Sequence, residues 1–283
     1  MLWAIASFIY ICTMTSFAFV LGLCDHRIRK KTFIKNTLWV VIGIYIVSFI
    51  FLRIIYNWHF LFETVLLTII LLGWIAGQRC QLIGLTGGIA CGKSTVSEIL
   101  IEEKLSVIDL DKISHQVTRS MTKQIANAFP EDDIIGDNGY LDSKKLGKVV
   151  FADKKKLKRL NKLTHTRIAL QTLKEILYRK LVLWESYVVL DIPLLFETRL
   201  FAYICCPIIL VYIDDRELQI KRLIKRSKGV LTREEAIQRI EAQMSLEYKK
   251  KNSDVLLDNE GTTEDLRKQI LSKVFPALLK SFG

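Results

Sequence analysis

Gln81-Leu82-Ile83-Gly84-Leu85-Thr86-Gly87-Gly88-Ile89-Ala90-Cys91-Gly92-Lys93-Ser94-Thr95 is the stretch that decides the fold. Residues 82–86 are a short apolar run of the kind that forms a buried strand. Gly87 to Ser94 fits the pattern G-x-x-x-x-G-K-[ST]. Residues 95–104 continue as an amphipathic helix with Val96, Ile99 and Leu100 on its apolar face. A strand, a glycine-rich loop and a helix in that order form a phosphate cradle. Backbone amides must converge on phosphate oxygens, and glycine permits the turn and the close approach. The helix N-terminus contributes its positive dipole end. Gly87, Gly88, Ile89, Ala90, Cys91, Gly92, Lys93, Ser94 and Thr95 are therefore the expected nucleotide-binding residues. Lys93 is placed to reach the β- and γ-phosphates, and the Ser94 hydroxyl to ligate Mg²⁺. The motif selects ATP or GTP but not the reaction, since GTPases, motor ATPases and small-molecule kinases share it.

Downstream, four more apolar runs predict strands. Val107-Ile108 ends in Asp109-Leu110-Asp111. Tyr187-Val188-Val189-Leu190 ends in Asp191. Pro207–Ile213 and Ser253–Asn259 follow. Short buried strands alternating with helical segments predict an α/β fold with a five-stranded parallel, doubly wound sheet. Carboxylates at the C-terminal ends of such strands face the ligand crevice. Asp111 is the candidate base for an attacking hydroxyl. Asp109 is either a helix cap or a positioning group. Asp191 is a candidate Mg²⁺ ligand, together with Ser94. Residues 112–180 are too long for a simple crossover and predict a helical insertion that binds the phosphoryl acceptor. Residues 216–245 carry many basic residues, including Arg222 and Arg226, and predict a lid. Within it, Thr232-Arg233-Glu234-Glu235 reads as a capping box that opens a helix.

The chain has 283 residues and a formal net charge of +12. Its basic residues are dispersed, without interleaved aromatic platforms or finger spacing, so no nucleic acid is expected as a partner. The six cysteines show neither metal spacing nor a disulfide framework, which fits a reducing compartment. Cys91, at a helix N-terminus beside Lys93, is expected to have a lowered thiol pKa. On that expectation a small alkylating agent inactivates the protein and Mg²⁺-ATP protects it.

Residues 1–79 differ in character from the rest. They hold seven Lys/Arg and two Asp/Glu. Leu2–Leu23 is free of charge, Leu38–Tyr56 carries only Arg53, and Phe60–Ala76 carries only Glu63. These runs predict a membrane anchor of two or three transmembrane helices in contact with lipid. The start lacks the positive region of a secretory signal and the arginines of a transit peptide. The basic loop Arg27–Lys35 predicts a multi-pass protein whose residues 80–283 face the cytoplasm, with a mitochondrial membrane as the alternative.

The ordered blocks Gly84–Ser94, Val107–Asp111, Gly139–Asp142, Val149–Asp153, Leu163–His165, Val188–Glu197, Arg239–Gln243 and Asp258–Gly261 resemble the dephospho-coenzyme A kinase family. The resemblance covers about residues 81–280. It implies a P-loop kinase core of adenylate-kinase type with a separate acceptor-binding part and a lid. It implies transfer of the ATP γ-phosphoryl to the ribose 3′-hydroxyl of dephospho-coenzyme A, with Mg²⁺. Asp111 falls where the family has its catalytic carboxylate, and Arg226 at the lid position that stabilises transferred charge. The sequence departs from the family pattern at Thr166, Ala169 and Ser245, where the family commonly has Pro, Arg and Pro.

Overall fold

A computed structural model describes residues 81–282 apart from 138 and 199, and before them only 15, 16, 18, 68, 69, 72 and 73. The expected membrane anchor, residues 1–79, lies almost wholly outside the described residues. Among the described residues, no helix is long and apolar enough to cross a membrane.

In chain order, the core begins with β1 (Leu82–Gly87), α1 (Lys93–Glu102) and β2 (Ser106–Asp109). Four helices follow: α2 (Leu110–Ser120), α3 (Thr122–Ala128), α4 (Ser143–Ala152) and α5 (Lys154–Leu177). A π-helical turn (Tyr178–Val182) leads into β3 (Val188–Asp191). Next come α6 (Leu195–Thr198), α7 (Leu200–Ile204), β4 (Cys205–Tyr212), α8 (Arg216–Arg226) and α9 (Arg233–Glu241). The chain closes with α10 (Leu246–Asn252), β5 (Val255–Asp258), α11 (Thr263–Gln269), a second π-helical turn (Ile270–Val274) and α12 (Phe275–Phe282). The strand order is β2-β3-β1-β4-β5, so the five expected strands form one sheet.

The chain divides into two compact units, one containing residues up to 105 and from 193 onward, the other residues 106–192. In the first unit β4 is flanked in parallel by β1 and β5. All six residues of β1 are buried, as are seven of the eight in β4. That explains why both read as continuous apolar runs rather than alternating ones. Gly84 is required here, because a Cβ would stand 2.8 Å from Leu195 Cδ1 and 3.0 Å from Cys205 Cβ. Helix α1 buries Val96, Ile99 and Leu100, the three positions that its periodicity marks.

In the second unit β2 and β3 pair in parallel, with Asp109 in register with Asp191. Four helices, α2 to α5, fill the interval between these strands, as the length of the insertion requires. Asp153 caps α5 by accepting the Lys155 amide at 2.7 Å. Arg179, in the π-helical turn, donates to Glu175 at 2.8 Å and also to the Ser106 hydroxyl, tying the end of the helical segment to the start of β2.

Candidate active site

The phosphate loop follows from where β1 ends. Gly87 closes the strand tightly against β4: an added Cβ would meet the Val211 carbonyl oxygen at 2.8 Å. The chain then turns through Ala90 (φ 59°) and Gly92 (φ 83°), both left-handed. Left-handed residues within a turn curl successive amides toward a common concavity. Gly92 is the N-cap residue of α1, and no side chain caps that helix. The positive start of this helix is therefore open to an anion. The loop's internal bonds run from the Cys91 amide to the Gly88 carbonyl (3.2 Å), and from the Thr95 and Val96 amides to the Gly92 carbonyl (3.1 and 3.3 Å). Lys93 and Thr95 are half-buried and Ser94 is exposed, all within this first turn.

Three carboxamides hold the loop from behind. Gln243 Oε1 accepts the Ile89 amide at 3.0 Å. Gln219 Nε2 donates to the Ile89 carbonyl at 2.8 Å and lies 3.5 Å from Cys91 Sγ. Asn259 Nδ2 donates to the Cys91 carbonyl at 2.9 Å, while the Asn259 carbonyl accepts from Arg222 at 2.8 Å. These contacts explain two glycines. A Cβ on Gly88 would stand 2.8 Å from Cys91 Sγ, and one on Gly92 would stand 2.0 Å from Asn259 Nδ2. None of the three carboxamides follows from a sequence pattern of its own. Gln243 and Asn259 stand inside blocks that carry the family resemblance, whereas Gln219 reads as one more polar residue on a charged helix.

Cys91 corrects the expectation of an activated thiol. Its side chain is 2% exposed. Burial pushes the thiol up from 9.0 to about 11, outweighing hydrogen bonds from the Ile213 and Gly88 backbone and the positive charges of Lys249 and Arg222. The dipole and lysine argument fails because the sulfur points into the packed base of the loop.

The α8–α9 segment is built from the same unit. Asp215 caps α8 by accepting the Glu217 and Leu218 amides at 2.9 and 3.1 Å. Thr232 and Glu235 form the capping box of α9, as its spacing predicts. Ile220, Leu223 and Ala236 are buried between the two helices, with Ile89 and Ala90 of the phosphate loop packed against them. Arg226 is the last residue of α8; it is exposed and makes no ion pair with any described residue.

In the other unit, Asp109 is the N-cap of α2, accepting the Lys112 amide at 3.0 Å, so the capping role is realised. Asp111 is exposed in the first turn of α2. Asp191 is buried at the end of β3. The two strands thus bring Asp109 and Asp191 side by side, with Asp111 two residues beyond Asp109. His165, on α5, is exposed.

The comparisons agree with this architecture. The dephospho-CoA kinase family model matches residues 81–265. A dephospho-CoA kinase of Carboxydothermus hydrogenoformans is 42% identical over 197 residues, which cover 68% of this chain and 91% of that protein. A dephospho-CoA kinase domain-containing protein of Danio rerio is 39% identical over 193 residues, covering 67% and 82% of the two chains. Among solved structures, dephospho-CoA kinase from Campylobacter jejuni superposes with a TM-score of 0.55 at 28% identity, covering 70% of this chain and 97% of that one. A Thermus thermophilus crystal structure gives 0.60 at 32%, covering 72% and 98%. With the matched region spanning the phosphate loop, both carboxylate-bearing strands and the α8–α9 segment, the chain belongs to the dephospho-CoA kinase family and is a kinase of the transferase class.

Proposed function

We propose that this chain transfers the γ-phosphoryl of ATP to the ribose 3′-hydroxyl of dephospho-coenzyme A, the last step in making coenzyme A. The observation that carries this reading is the uncapped start of α1 behind Gly92, inside a region that matches its relatives nearly end to end. The Ile89, Cys91 and Thr95 amides already have acceptors in the protein, and the amides of Ala90, Gly92 and Ser94 are among those offered to phosphate oxygens. Lys93 neutralises charge on the β- and γ-phosphates, and Arg226 serves the transferred group from the end of α8. Asp111 accepts the proton of the attacking hydroxyl; its exposure leaves it accessible to an acceptor.

Mg²⁺ fits the donor set as a partner of the nucleotide. No cluster of three or more His, Cys, Asp or Glu that could hold a metal exists among the described residues. Mg²⁺ characteristically takes one or two protein oxygens and completes its shell with phosphates and water. The Ser94 hydroxyl and the Asp191 carboxylate are the hard oxygen donors for it. When bound, it offsets charge on the phosphates during transfer.

Helices α2 to α5 form the acceptor-binding part, and α8 with α9 the lid. Residues 1–79 tether the kinase to a membrane by two or three spans, with residues 80–283 on the cytoplasmic side. Support for the tether is the charge-free run Leu2–Leu23 and the later apolar runs that precede the family-matching region.

ADP release by the full-length protein, measured with Mg²⁺-ATP and a panel of hydroxyl acceptors, tests the reading. Dephospho-coenzyme A should be strongly preferred over nucleosides and sugars. Equal or better use of another acceptor would replace it with a different small-molecule kinase activity.

A further inference from the structure

The proposed chemistry leaves Gln219 and Gln243 without a role, yet both grip the phosphate loop at Ile89, one on each side of its Cα. Gln243 takes the amide of Ile89 and Gln219 takes its carbonyl, at 3.0 and 2.8 Å. They stand at the two roots of the α8–α9 arm: Gln219 lies one turn into α8, and Gln243 lies two residues past Glu241, the end of α9. Between them the apolar centre of the arm, Ile220, Leu223 and Ala236, packs against the Ile89 and Ala90 side chains. The exit root is fixed in turn. The Met244 amide donates to Glu197 Oε1 at 3.3 Å, and that carboxylate pairs with buried Lys249 at 3.0 Å.

We propose that Gln219 and Gln243 act together as a clamp that sets the shape of the phosphate loop from both roots of the arm. They are positioning residues, because both act through the backbone of Ile89. Gln243 holds the peptide before the Ile89 Cα and Gln219 the peptide after it, so neither of these two adjacent peptides can rotate without breaking a side-chain hydrogen bond. The following amides then stay aimed outward before the nucleotide arrives. Binding of phosphate therefore avoids the cost of ordering the loop. The inference rests on the reading of this loop as the ATP site.

Steady-state kinetics on the full chain test it, with Mg²⁺-ATP and dephospho-coenzyme A as the probe substrates. Gln219→Met and Gln243→Met keep side-chain length and remove the polar contact. Each should raise the KM for ATP about tenfold, as expected when one partner of a largely buried hydrogen bond is lost. kcat and the KM for the acceptor should stay within about twofold of wild type, since the clamp acts on ATP binding and not on transfer. The double variant should raise the ATP KM by about as much as either single one, because the two peptides share the Ile89 Cα, release of either frees the same turn, and the effects do not add. Gln243→Asn, which shortens the reach of the acceptor without making it apolar, should reproduce the ATP defect and covers the case in which a Met variant fails to fold. An unchanged ATP KM in the single variants, a multiplicative effect in the double variant, or parallel losses in both KM values and kcat would overturn the clamp. A wild-type protein that does not turn over these substrates would instead overturn the functional reading beneath it.

Discussion

The phosphate loop and the helical segment between β2 and β3 are held by opposite means. The loop is anchored by largely buried carboxamides that come from far along the chain: Gln219, Gln243 and Asn259 reach Ile89 and Cys91. The helical segment is joined by groups at its surface. Lys145 pairs with Asp133 at 2.7 Å, Lys156 with Asp132 at 2.6 Å, and Arg119 stacks over the Tyr140 ring at 4.4 Å. Buried polar contacts are costly to break and fix one geometry, whereas exposed pairs are cheap and exchange readily with water. The difference suits a kinase in which ATP always presents the same phosphates while the proposed acceptor-binding part accommodates a larger molecule.

The comparison would fail first if chemistry did not come from the loosely joined unit. Asp111→Asn removes one exposed carboxylate and should leave folding intact. It should still lower turnover by about 10²–10⁴-fold, the usual loss when a general base is removed. Retention of near-normal turnover with Mg²⁺-ATP and dephospho-coenzyme A would strip Asp111 of that role.

Next in size is the buried pair at the exit of α9. Lys249 is 1% exposed, and its ammonium lies 3.0 Å from Glu197 Oε1, without an aligned hydrogen bond. Glu197 Oε2 is also buried without a hydrogen-bond partner. The contact is therefore coulombic, and its value lies mainly in avoiding an uncompensated buried charge. Lys249→Met should cost about 3–5 kcal/mol in denaturant unfolding. The double replacement Lys249→Met with Glu197→Gln should recover much of that. Failure of the double replacement to recover stability would show that the lysine acts through packing of its stem.

Cys91 sharpens the comparison from inside the loop. With the thiol raised from 9.0 to about 11, the thiolate fraction at pH 8 falls by about a hundredfold relative to an ordinary cysteine. Alkylation should be slow with or without Mg²⁺-ATP, the reverse of what helix dipole and Lys93 alone predict. The sign for stability follows from the same shift. The unfolded chain loses this proton near its ordinary value while the folded chain still holds it. Stability should fall as pH rises from about 9 to about 11, and this contribution should be pH-independent below 9. Fast alkylation at pH 8 that nucleotide suppresses would return Cys91 to an exposed position in the loop.

Legibility in the sequence follows how local each feature is. All five strands were visible as apolar runs, and the Thr232–Glu235 capping box was visible as a spacing of three, because neighbouring residues decide both. The insertion of β3 beside β2 was not, since strand order depends on partners distant in sequence. In the loop, Lys93 and Ser94 are fixed by the motif, while the carboxamides behind it depend on how α8 and the turn after β5 pack. Gln219 shows the limit: it sits among Arg216, Glu217, Lys221 and Arg222, so its helix reads as solvated, yet it is largely buried. Cys91 fails for the same reason, because desolvation is set by the packing around it and not by adjacent residues.

The smallest expected effect belongs to the surface of the helical segment. Lys145 donates to Asp133 at 2.7 Å and to the Ile135 carbonyl at 3.1 Å. The Asp133 side chain is 80% exposed and that of Lys145 39%. In such a setting water competes for both charges and salt screens what remains, so the pair gains little over the separated ions. Holding two long side chains in one geometry also costs rotamer freedom. Lys145→Ala should therefore leave unfolding stability almost unchanged, and high salt should shrink even that small difference. The KM for ATP should not move. A shift in the KM for dephospho-coenzyme A without a matching loss of stability would place Lys145 in contact with the acceptor. A clear loss of stability that persists at high salt would show that the Ile135 carbonyl bond, rather than the ion pair, secures the bridge between Ile135 and Leu141, and would end the contrast between a fastened loop and a loosely joined helical segment.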